Sequence, residues 1–235
     1  MDNSAESCLT TQLRTNLGEV RNRIAIACRR AGRHPDSVRL VAVTKYSPVS
    51  VVEALWSLGE REFGESRPQQ LIERAQALNP EICWHQIGRL QRNKVRAVLP
   101  YAKWIHSVDS TRLLERISEI AGELSVRPKV LLQVNVSGEP SKQGFAPDEL
   151  KLLPEAVWSL PHVEIAGLMT MAPDTDELAI IRQVFLGLRR IRSEMQSQGH
   201  SLPELSMGMS HDFEIAIEEG ATMIRLGSIL FEGCD

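Results

Sequence analysis

The sequence lacks the features that tie a protein to a membrane, to nucleic acid or to secretion. No apolar run approaches the roughly 20 residues that a helix needs to span a bilayer. The 27 basic and 30 acidic residues give a net charge of -3, which offers no support for a nucleic-acid partner. Residues 1–6 are polar and acidic and do not form a signal peptide. We therefore expect a cytoplasmic protein.

Cysteine is scarce and dispersed. The four cysteines form no CxxC pair, which argues for a reducing compartment and against a disulfide scaffold or a structural zinc site; they are Cys8, Cys28, Cys83 and Cys234. The sequence has no HExxH motif and no GxSxG elbow. We predict that the protein holds no metal. Basic residues at 89–96 have helical spacing and are interpreted as a solvated helix face, with a phosphate-bearing partner as the alternative.

Strand-like and helix-like segments alternate along the chain. A helix at about 10–31 comes first, and seven helical segments separate the strands that follow. Strict alternation predicts parallel strands, and eight repeats favour a single α/β domain over residues 1–235, a (β/α)8 TIM barrel with an extra N-terminal helix. An open doubly wound sheet is the alternative, but the first βα turn has no GxGxxG. The eight predicted strands are 38–44, 61–64, 82–87, 103–108, 129–136, 163–169, 204–207 and 222–227.

The C-terminal ends of barrel strands carry the functional site in this architecture. In this sequence those ends are rich in small, polar and glycine residues, as expected of a mouth that binds a ligand. The residues there include Lys45, Ser66, His85, His106, Asn135, Met169, Ser210, Arg225, Gly227 and Ser228.

Lys45 ends the first apolar run, at residues 38–45. A strand of this composition is buried, so a lysine at its tip is expected to be held in place. A lysine near apolar surroundings keeps a free amine, which a nucleophile toward a carbonyl carbon requires. The alternative is that its stem packs while its ammonium reaches water.

The ends of strands seven and eight together suggest a phosphate site. Ser210 is predicted to cap the helix that contains Phe213, so that its hydroxyl and the first free amides face an anion. Gly227 and Ser228 offer accessible backbone N–H groups in a tight turn. Barrels of this kind often bind phosphate after strands seven and eight. A helix cap and an ordinary turn are the alternative for either motif alone.

Arg225 and His85 each allow two interpretations. Arg225 either forms a salt bridge, with Glu218 or Glu232, or points into the mouth, because alternate residues of its strand share a face. His85 fits a buried core histidine better than a ligand-binding one, and His106 has the same ambiguity.

A lysine, an anion site and an inward arginine fit pyridoxal 5'-phosphate. Its aldehyde would meet Lys45, its phosphate would meet Ser210 and the Gly227–Ser228 turn, and its ring nitrogen would meet Arg225. From about residue 10 to the C-terminus the chain closely resembles the YggS/PROSC family of pyridoxal phosphate homeostasis proteins. The motifs that carry the resemblance are Val-Ala-Val-Thr-Lys, Arg-Glu-Phe-Gly-Glu-Ser, Trp-His-Gln-Ile-Gly-Arg-Leu-Gln-Arg-Asn-Lys, Gln-Val-Asn-Val-Ser, Ser-Lys-Gln-Gly, Gly-Leu-Met-Thr, Leu-Ser-Met-Gly-Met-Ser and Ala-Thr-Met-Ile-Arg-Leu-Gly.

The resemblance implies a fold-type III barrel, related to the N-terminal barrel of alanine racemase, with the cofactor as an internal aldimine on Lys45. It implies a protein that buffers or carries pyridoxal phosphate and affects amino-acid and keto-acid balance. PLP-dependent apoenzymes or a regulatory protein are expected as partners. The scarcity of aromatic residues predicts a monomer. The candidate cofactor-binding residues are Lys45, Ser66, His85, Asn135, Met169, Ser210, Arg225, Gly227 and Ser228. Ser66 stands where the family commonly has asparagine, and His211 where it commonly has aspartate.

Catalysis is expected to be absent or weak. An arginine at the ring nitrogen keeps that nitrogen unprotonated and weakens the ring as an electron sink. A racemase also needs a second proton-transfer group, which in racemases comes from an additional domain not expected here. Tyr46 adjoins Lys45 but is predicted to face away from it, as neighbours on a strand do. The alternatives are a weak PLP-dependent racemase or lyase, and an aldolase in which Lys45 itself forms the Schiff base with a sugar phosphate.

Overall fold

Eight parallel strands form a closed barrel in the order of the sequence, because each strand pairs with the next and the first pairs with the last. The structure is a computed structural model that describes residues 3–139 and 142–234. All eight predicted strands are confirmed, and a helix lies between every two of them. The strands are β1 Arg39–Val43, β2 Glu62–Glu65, β3 Cys83–Gln86, β4 Ala102–Val108, β5 Lys129–Gln133, β6 Glu164–Met169, β7 Glu204–Ser206 and β8 Met223–Leu226.

The helices surround the barrel. They are α1 Asn3–Arg30, α2 Val49–Ser57, α3 Pro68–Ala77, α4 Val95–Val98, α5 Thr111–Glu123, α6 Pro147–Lys151, α7 Glu155–Trp158, α8 Leu178–Ser197 and α9 Phe213–Glu218. Three short 3-10 helices lie at Pro35–Ser37, Arg92–Lys94 and Ser228–Leu230. The first helix begins at Asn3 rather than near residue 10, since residues 3–9 contain neither proline nor glycine to stop it.

The first helix completes the outer ring between α9 and α2. Its apolar positions at three- and four-residue spacing are buried, as the periodicity predicts, and each stabilises the fold by about 1.5–3 kcal/mol; they include Leu13, Leu17, Val20 and Ile24. The amide nitrogen of Asn16 donates to the carbonyl oxygens of Leu230 and Glu232, at 3.0 and 2.9 Å. This helix therefore anchors the segment that follows β8.

The barrel interior is partly apolar and partly polar. An inner apolar cluster is formed by Trp104, Leu131, Ala166, Met169 and Met223. Buried polar side chains fill the rest, including His85, His106, Ser206 and Arg225. Hydrogen-bonded polar groups therefore share the inside of the barrel with close-packed apolar ones.

Strands β6 and β7 approach each other closely at Gly167, where any Cβ would collide with the carbonyl oxygen of Glu204. We predict that Gly167→Ala lowers the free energy of unfolding by about 2–3 kcal/mol, because backbone on both strands must shift. Gly18 is the matched control: it lies exposed on α1 with open space around it. Gly18→Ala should raise the free energy of unfolding by about 0.5–1 kcal/mol. Urea denaturation measures both changes, and equal effects of the two substitutions would contradict the prediction.

Candidate functional site

A cavity of about 920 Å³ opens at the C-terminal ends of the strands. This is the end at which the sequence predicts the site. Six of the nine candidate residues line the cavity: Lys45, Ser66, Ser210, Arg225, Gly227 and Ser228. The structure therefore brings together residues from the loops after β1, β2 and β7, from β8 itself and from the turn that follows it.

Lys45 lies in the turn after β1, not at the tip of a buried strand as predicted. The strand ends at Val43, Thr44 is the last buried residue, and the amide of Ser47 donates to the Thr44 carbonyl at 2.9 Å to close the turn. The side chain of Lys45 is exposed and lines the cavity, with its ammonium 5.0 Å from the centroid of the Tyr46 ring. Its position therefore depends on this turn more than on apolar packing.

A buried ion pair holds the turn that carries Lys45. The carboxylate of Glu65, fully buried at the end of β2, accepts from the guanidinium of Arg74 and from the hydroxyl of Thr44, the latter at 2.5 Å. Arg74 also donates to the carbonyl oxygens of Thr44, at 2.8 Å, and Ser47. Helix α3 thus fixes the backbone on both sides of Lys45.

The prediction that Tyr46 faces away from Lys45 is wrong. Both residues belong to a turn, where the alternation of a strand does not apply, and both line the cavity. Tyr46 is 81% exposed, so its hydroxyl is available to a ligand in the mouth.

Ser210 does not cap the helix after β7. Asp212 occupies the N-cap position of α9 without a capping hydrogen bond from its side chain. Its carboxylate instead accepts from the amide of Met209, in the loop before the helix, at 2.5 Å. The hydroxyl of Ser210 instead accepts from the amide of Gly227 at 3.3 Å. That amide was expected to face an anion, and in the structure it joins the loops after β7 and β8.

Arg225 points into the barrel, which decides between its two interpretations. It is 5% exposed and donates to the Ser206 hydroxyl at 2.5 Å and to the Thr170 carbonyl at 3.1 Å. Glu218, its predicted salt-bridge partner, pairs with Arg182 at 2.5 Å. Burial lowers the pKa of Arg225 to about 10, against the charge of Asp212, so the guanidinium is protonated at neutral pH.

Three candidate residues do not line the cavity. His85 is fully buried between Glu62 and His106, as the core interpretation predicts. Met169 is the last residue of β6 and belongs to the inner apolar cluster. The side-chain amide of Asn135 donates hydrogen bonds to the carbonyl oxygens of Glu139 and Lys142, at 2.9 and 3.3 Å, and thereby holds the loop after β5.

Several residues of the cavity wall were not predicted from the sequence. They are Arg89, Lys142, Met171 and Met209, together with Tyr46. Lys142 lies in the Ser-Lys-Gln-Gly motif and Met209 in Leu-Ser-Met-Gly-Met-Ser, so the motifs held a signal for both. No pattern in the sequence predicted the role of Arg74, because only the fold shows which carbonyl groups its guanidinium reaches.

At the opposite end of the barrel, Glu62, Cys83 and His85 bring possible metal-ligand atoms within 4.8 Å of one another. Glu62 and His85 are already hydrogen-bonded to each other at 2.6 Å. Burial raises the pKa of the Cys83 thiol, which disfavours the thiolate that a metal would require. We interpret this group as hydrogen-bonded side chains, and the absence of a metal stays a prediction.

Comparison with known proteins places the chain in a family. The family model that matches residues 15–234 describes the N-terminal domain of alanine racemase. A pyridoxal phosphate homeostasis protein of Aquifex aeolicus is 42% identical over 217 residues, which cover 92% of this chain and 95% of that protein. The chain belongs to the family of pyridoxal phosphate homeostasis proteins. The resemblance drawn from the motifs is thereby confirmed.

Solved structures agree with the barrel. A protein of unknown function from Bifidobacterium adolescentis, 35% identical, superposes with a TM-score of 0.91 over 98% of this chain and 97% of that one. PipY of Synechococcus elongatus PCC7942, solved with PLP bound, is 38% identical and has a TM-score of 0.83 over 93% of this chain and 99% of its own. Within the described residues, no helix has the length and apolar character to cross a membrane.

Removal of one partner of the buried ion pair between Glu65 and Arg74 should be strongly destabilising. We predict that Arg74→Met lowers the free energy of unfolding by about 3–5 kcal/mol, because it leaves a buried carboxylate without its cation. Arg116→Met is the matched control, since Arg116 pairs with Glu119 on the surface of α5 at 2.6 Å and should cost at most about 1 kcal/mol. Urea denaturation compares the two, and a loss at Arg74 no larger than that at Arg116 would contradict the prediction.

Proposed function

We propose that this protein binds pyridoxal 5'-phosphate in the cavity and holds it covalently through Lys45. The amine of Lys45 would bond to the aldehyde carbon of the cofactor, with release of water. When bound, the cofactor supplies an electrophilic carbon and an electron-withdrawing ring. PipY, a close relative, was solved with PLP bound, which supports the proposal.

The charge of the cavity wall is the observation that carries this function. Lys45, Arg89, Lys142 and Arg225 line the cavity, and no carboxylate is among the described residues that do so. A concave site lined by one sign of charge concentrates ligands of the opposite sign, such as a phosphate ester. A cavity of about 920 Å³ is ample for a molecule of this size.

The wall also offers groups for each part of the cofactor. Arg225 has N–H groups beyond those donated to Ser206 and Thr170, and we propose that one meets the ring nitrogen. Ser210, Gly227 and Ser228 lie together on the wall and are proposed to hold the phosphate. The apolar side chains of Val43, Ile87, Met171 and Met209 complete the wall.

We propose that the protein stores and delivers the cofactor without catalysing a reaction of its own. A charged Arg225 at the ring nitrogen would keep it unprotonated, which weakens the ring as an electron sink. We further propose a cytoplasmic monomer of one domain, with PLP-dependent apoenzymes or a regulatory protein as recipients. The dispersed spacing of the cysteines, without a CxxC pair, is consistent with a reducing compartment.

A visible absorption spectrum tests the covalent attachment. Wild type incubated with pyridoxal phosphate should show an absorption band that Lys45→Ala lacks, because the other cavity amine, Lys142, is tied to Glu139 at 3.2 Å. Lys129→Ala, outside the cavity, should retain the band. Reduction with borohydride followed by mass spectrometry of peptides should locate the added mass on Lys45. A wild type without the band, or a Lys45→Ala protein that keeps it, would refute the proposal.

A weak racemase or lyase is the second candidate, favoured by one observation. Tyr46 stands beside Lys45 in the mouth, where a phenol could move a proton. We predict that the loaded protein does not convert D- or L-alanine, because both groups are open to water and neither is fixed by a hydrogen-bonded partner in the described part of the chain. Chiral chromatography of long incubations measures this. Turnover that is abolished by Tyr46→Phe would favour the second candidate.

A further inference from the structure

A row of hydrogen bonds crosses the barrel interior from one end to the other. Glu62, the first residue of β2, lies 2.6 Å from His85 Nε2, and His85 Nδ1 lies 2.8 Å from His106 Nε2. His106 Nδ1 lies 2.8 Å from the hydroxyl of Ser206, which lies 2.5 Å from Arg225 Nη1. We call these five residues the interior chain. It starts at the N-terminal end of the barrel and ends at the cavity wall.

The chemistry of these groups gives the interior chain a direction. An ionised carboxylate only accepts, so His85 donates through Nε2 to Glu62. A neutral imidazole carries one N–H, so His85 Nδ1 accepts from His106 Nε2, and His106 Nδ1 accepts from the hydroxyl of Ser206. A guanidinium only donates, so Ser206 accepts from Arg225. Every donor meets one acceptor, and the interior chain ends on an anion.

The charges of the groups agree with this direction. Burial lowers the pKa of both imidazoles, and for His106 the charges of Arg225 and Arg39 lower it further. Burial opposes the ionisation of Glu62, but its hydrogen bond with His85 holds the pKa of the carboxyl below its usual value. At neutral pH the interior chain therefore has a cation at one end, a carboxylate at the other and two neutral rings between them.

Other charged and titratable groups border the interior chain without joining it. Arg39 of β1 pairs with Glu204 of β7 at 3.1 Å. The thiol of Cys83 lies 3.7 Å from His85 Nε2, and the charge of Asp212 acts on Arg225. Trp104 stacks on His85 with the ring centroids 5.8 Å apart, which holds the imidazole in its plane.

We propose that Glu62, His85, His106 and Ser206 are positioning residues that aim the Arg225 guanidinium at the ring nitrogen of the bound cofactor. This inference rests on the proposed function. Ser206 and the Thr170 carbonyl are the two anchors of Arg225 in the described structure. Ser206 in turn is oriented by His106, and the orientation is set by a carboxylate at the far end of the barrel. Glu62 thus controls a contact in a cavity that it does not line.

A comparison of pyridoxal phosphate with an analogue that lacks the ring nitrogen distinguishes a positioning role of Glu62 from a merely structural one. Glu62→Gln keeps the shape of the side chain, but its amide can either accept from or donate to His85, so both directions of the interior chain become possible. The variant should bind pyridoxal phosphate about three- to tenfold more weakly, as expected for one weakened hydrogen bond. Binding of 1-deaza-pyridoxal phosphate, which has C–H in place of the ring nitrogen, should be weaker in wild type and unchanged by the substitution. Ser206→Ala should behave like Glu62→Gln.

Glu164→Gln is the matched control. Glu164 begins β6 as Glu62 begins β2, and it pairs with Lys129 at 3.4 Å outside the interior chain. Glu164→Gln should leave the affinities for pyridoxal phosphate and for 1-deaza-pyridoxal phosphate unchanged. The proposal is overturned if Glu62→Gln and Ser206→Ala bind pyridoxal phosphate as tightly as wild type does. It is also overturned if they bind pyridoxal phosphate and the 1-deaza analogue more weakly by the same factor.

Histidine tautomers in the ligand-free protein provide a readout that does not depend on the cofactor. Nitrogen-15 NMR should show His85 and His106 both as the Nε2–H tautomer in wild type, and a mixture of tautomers in Glu62→Gln. A wild type with Nδ1–H on either ring would overturn the assigned direction. If wild type shows these tautomers but does not bind pyridoxal phosphate, the proposed function fails while the direction of the interior chain stands, so the two failures are distinguishable.

Discussion

The pairing of β1 with β8 closes the barrel, and the geometry of the candidate site depends on that closure. Its register sets Val41 beside Arg225 and Ala42 beside Leu226, so the turn that follows β1 meets the turn that follows β8. Residues almost two hundred positions apart in the sequence thereby share one cavity wall. Lys45 and Gly227 come together for this reason, since neither residue has any local preference for the other.

Buried charge is the second organising feature, and it is satisfied differently at the two levels of the barrel. Near the mouth, Glu65 and Arg74 neutralise each other, and Arg74 uses its remaining donors to hold the backbone around Lys45. Within the barrel, Arg225 is in contact with no carboxylate of the described residues, and a series of neutral groups links it to Glu62 instead. An unpaired charge in either place would be costly, so both arrangements fix positions as well as contributing energy.

The side chains that remain exposed at the mouth of the barrel give the cavity its charge. Four cationic side chains face a space from which carboxylates are absent among the described residues, and apolar side chains form the rest of the wall. The same arrangement suits an anionic aldehyde that is stored covalently and later released. The exposure of Lys45 supports the proposal of storage, because an amine open to water can exchange a covalently held cargo.

The sequence by itself determined the eight strands, their order and the end of the barrel at which the cavity opens, because hydrophobic periodicity and the chirality of βαβ units are local properties. It also identified six of the residues that line the cavity. The tertiary structure decided the rest: that Tyr46 turns toward Lys45, that Ser210 bonds to Gly227 instead of capping α9, and that the buried His85 bonds to Glu62 and His106. Each of these depends on the depth of a side chain in the barrel or on contacts between distant loops. Such relations exist only after the strands have closed, and no pattern along the chain encodes them locally.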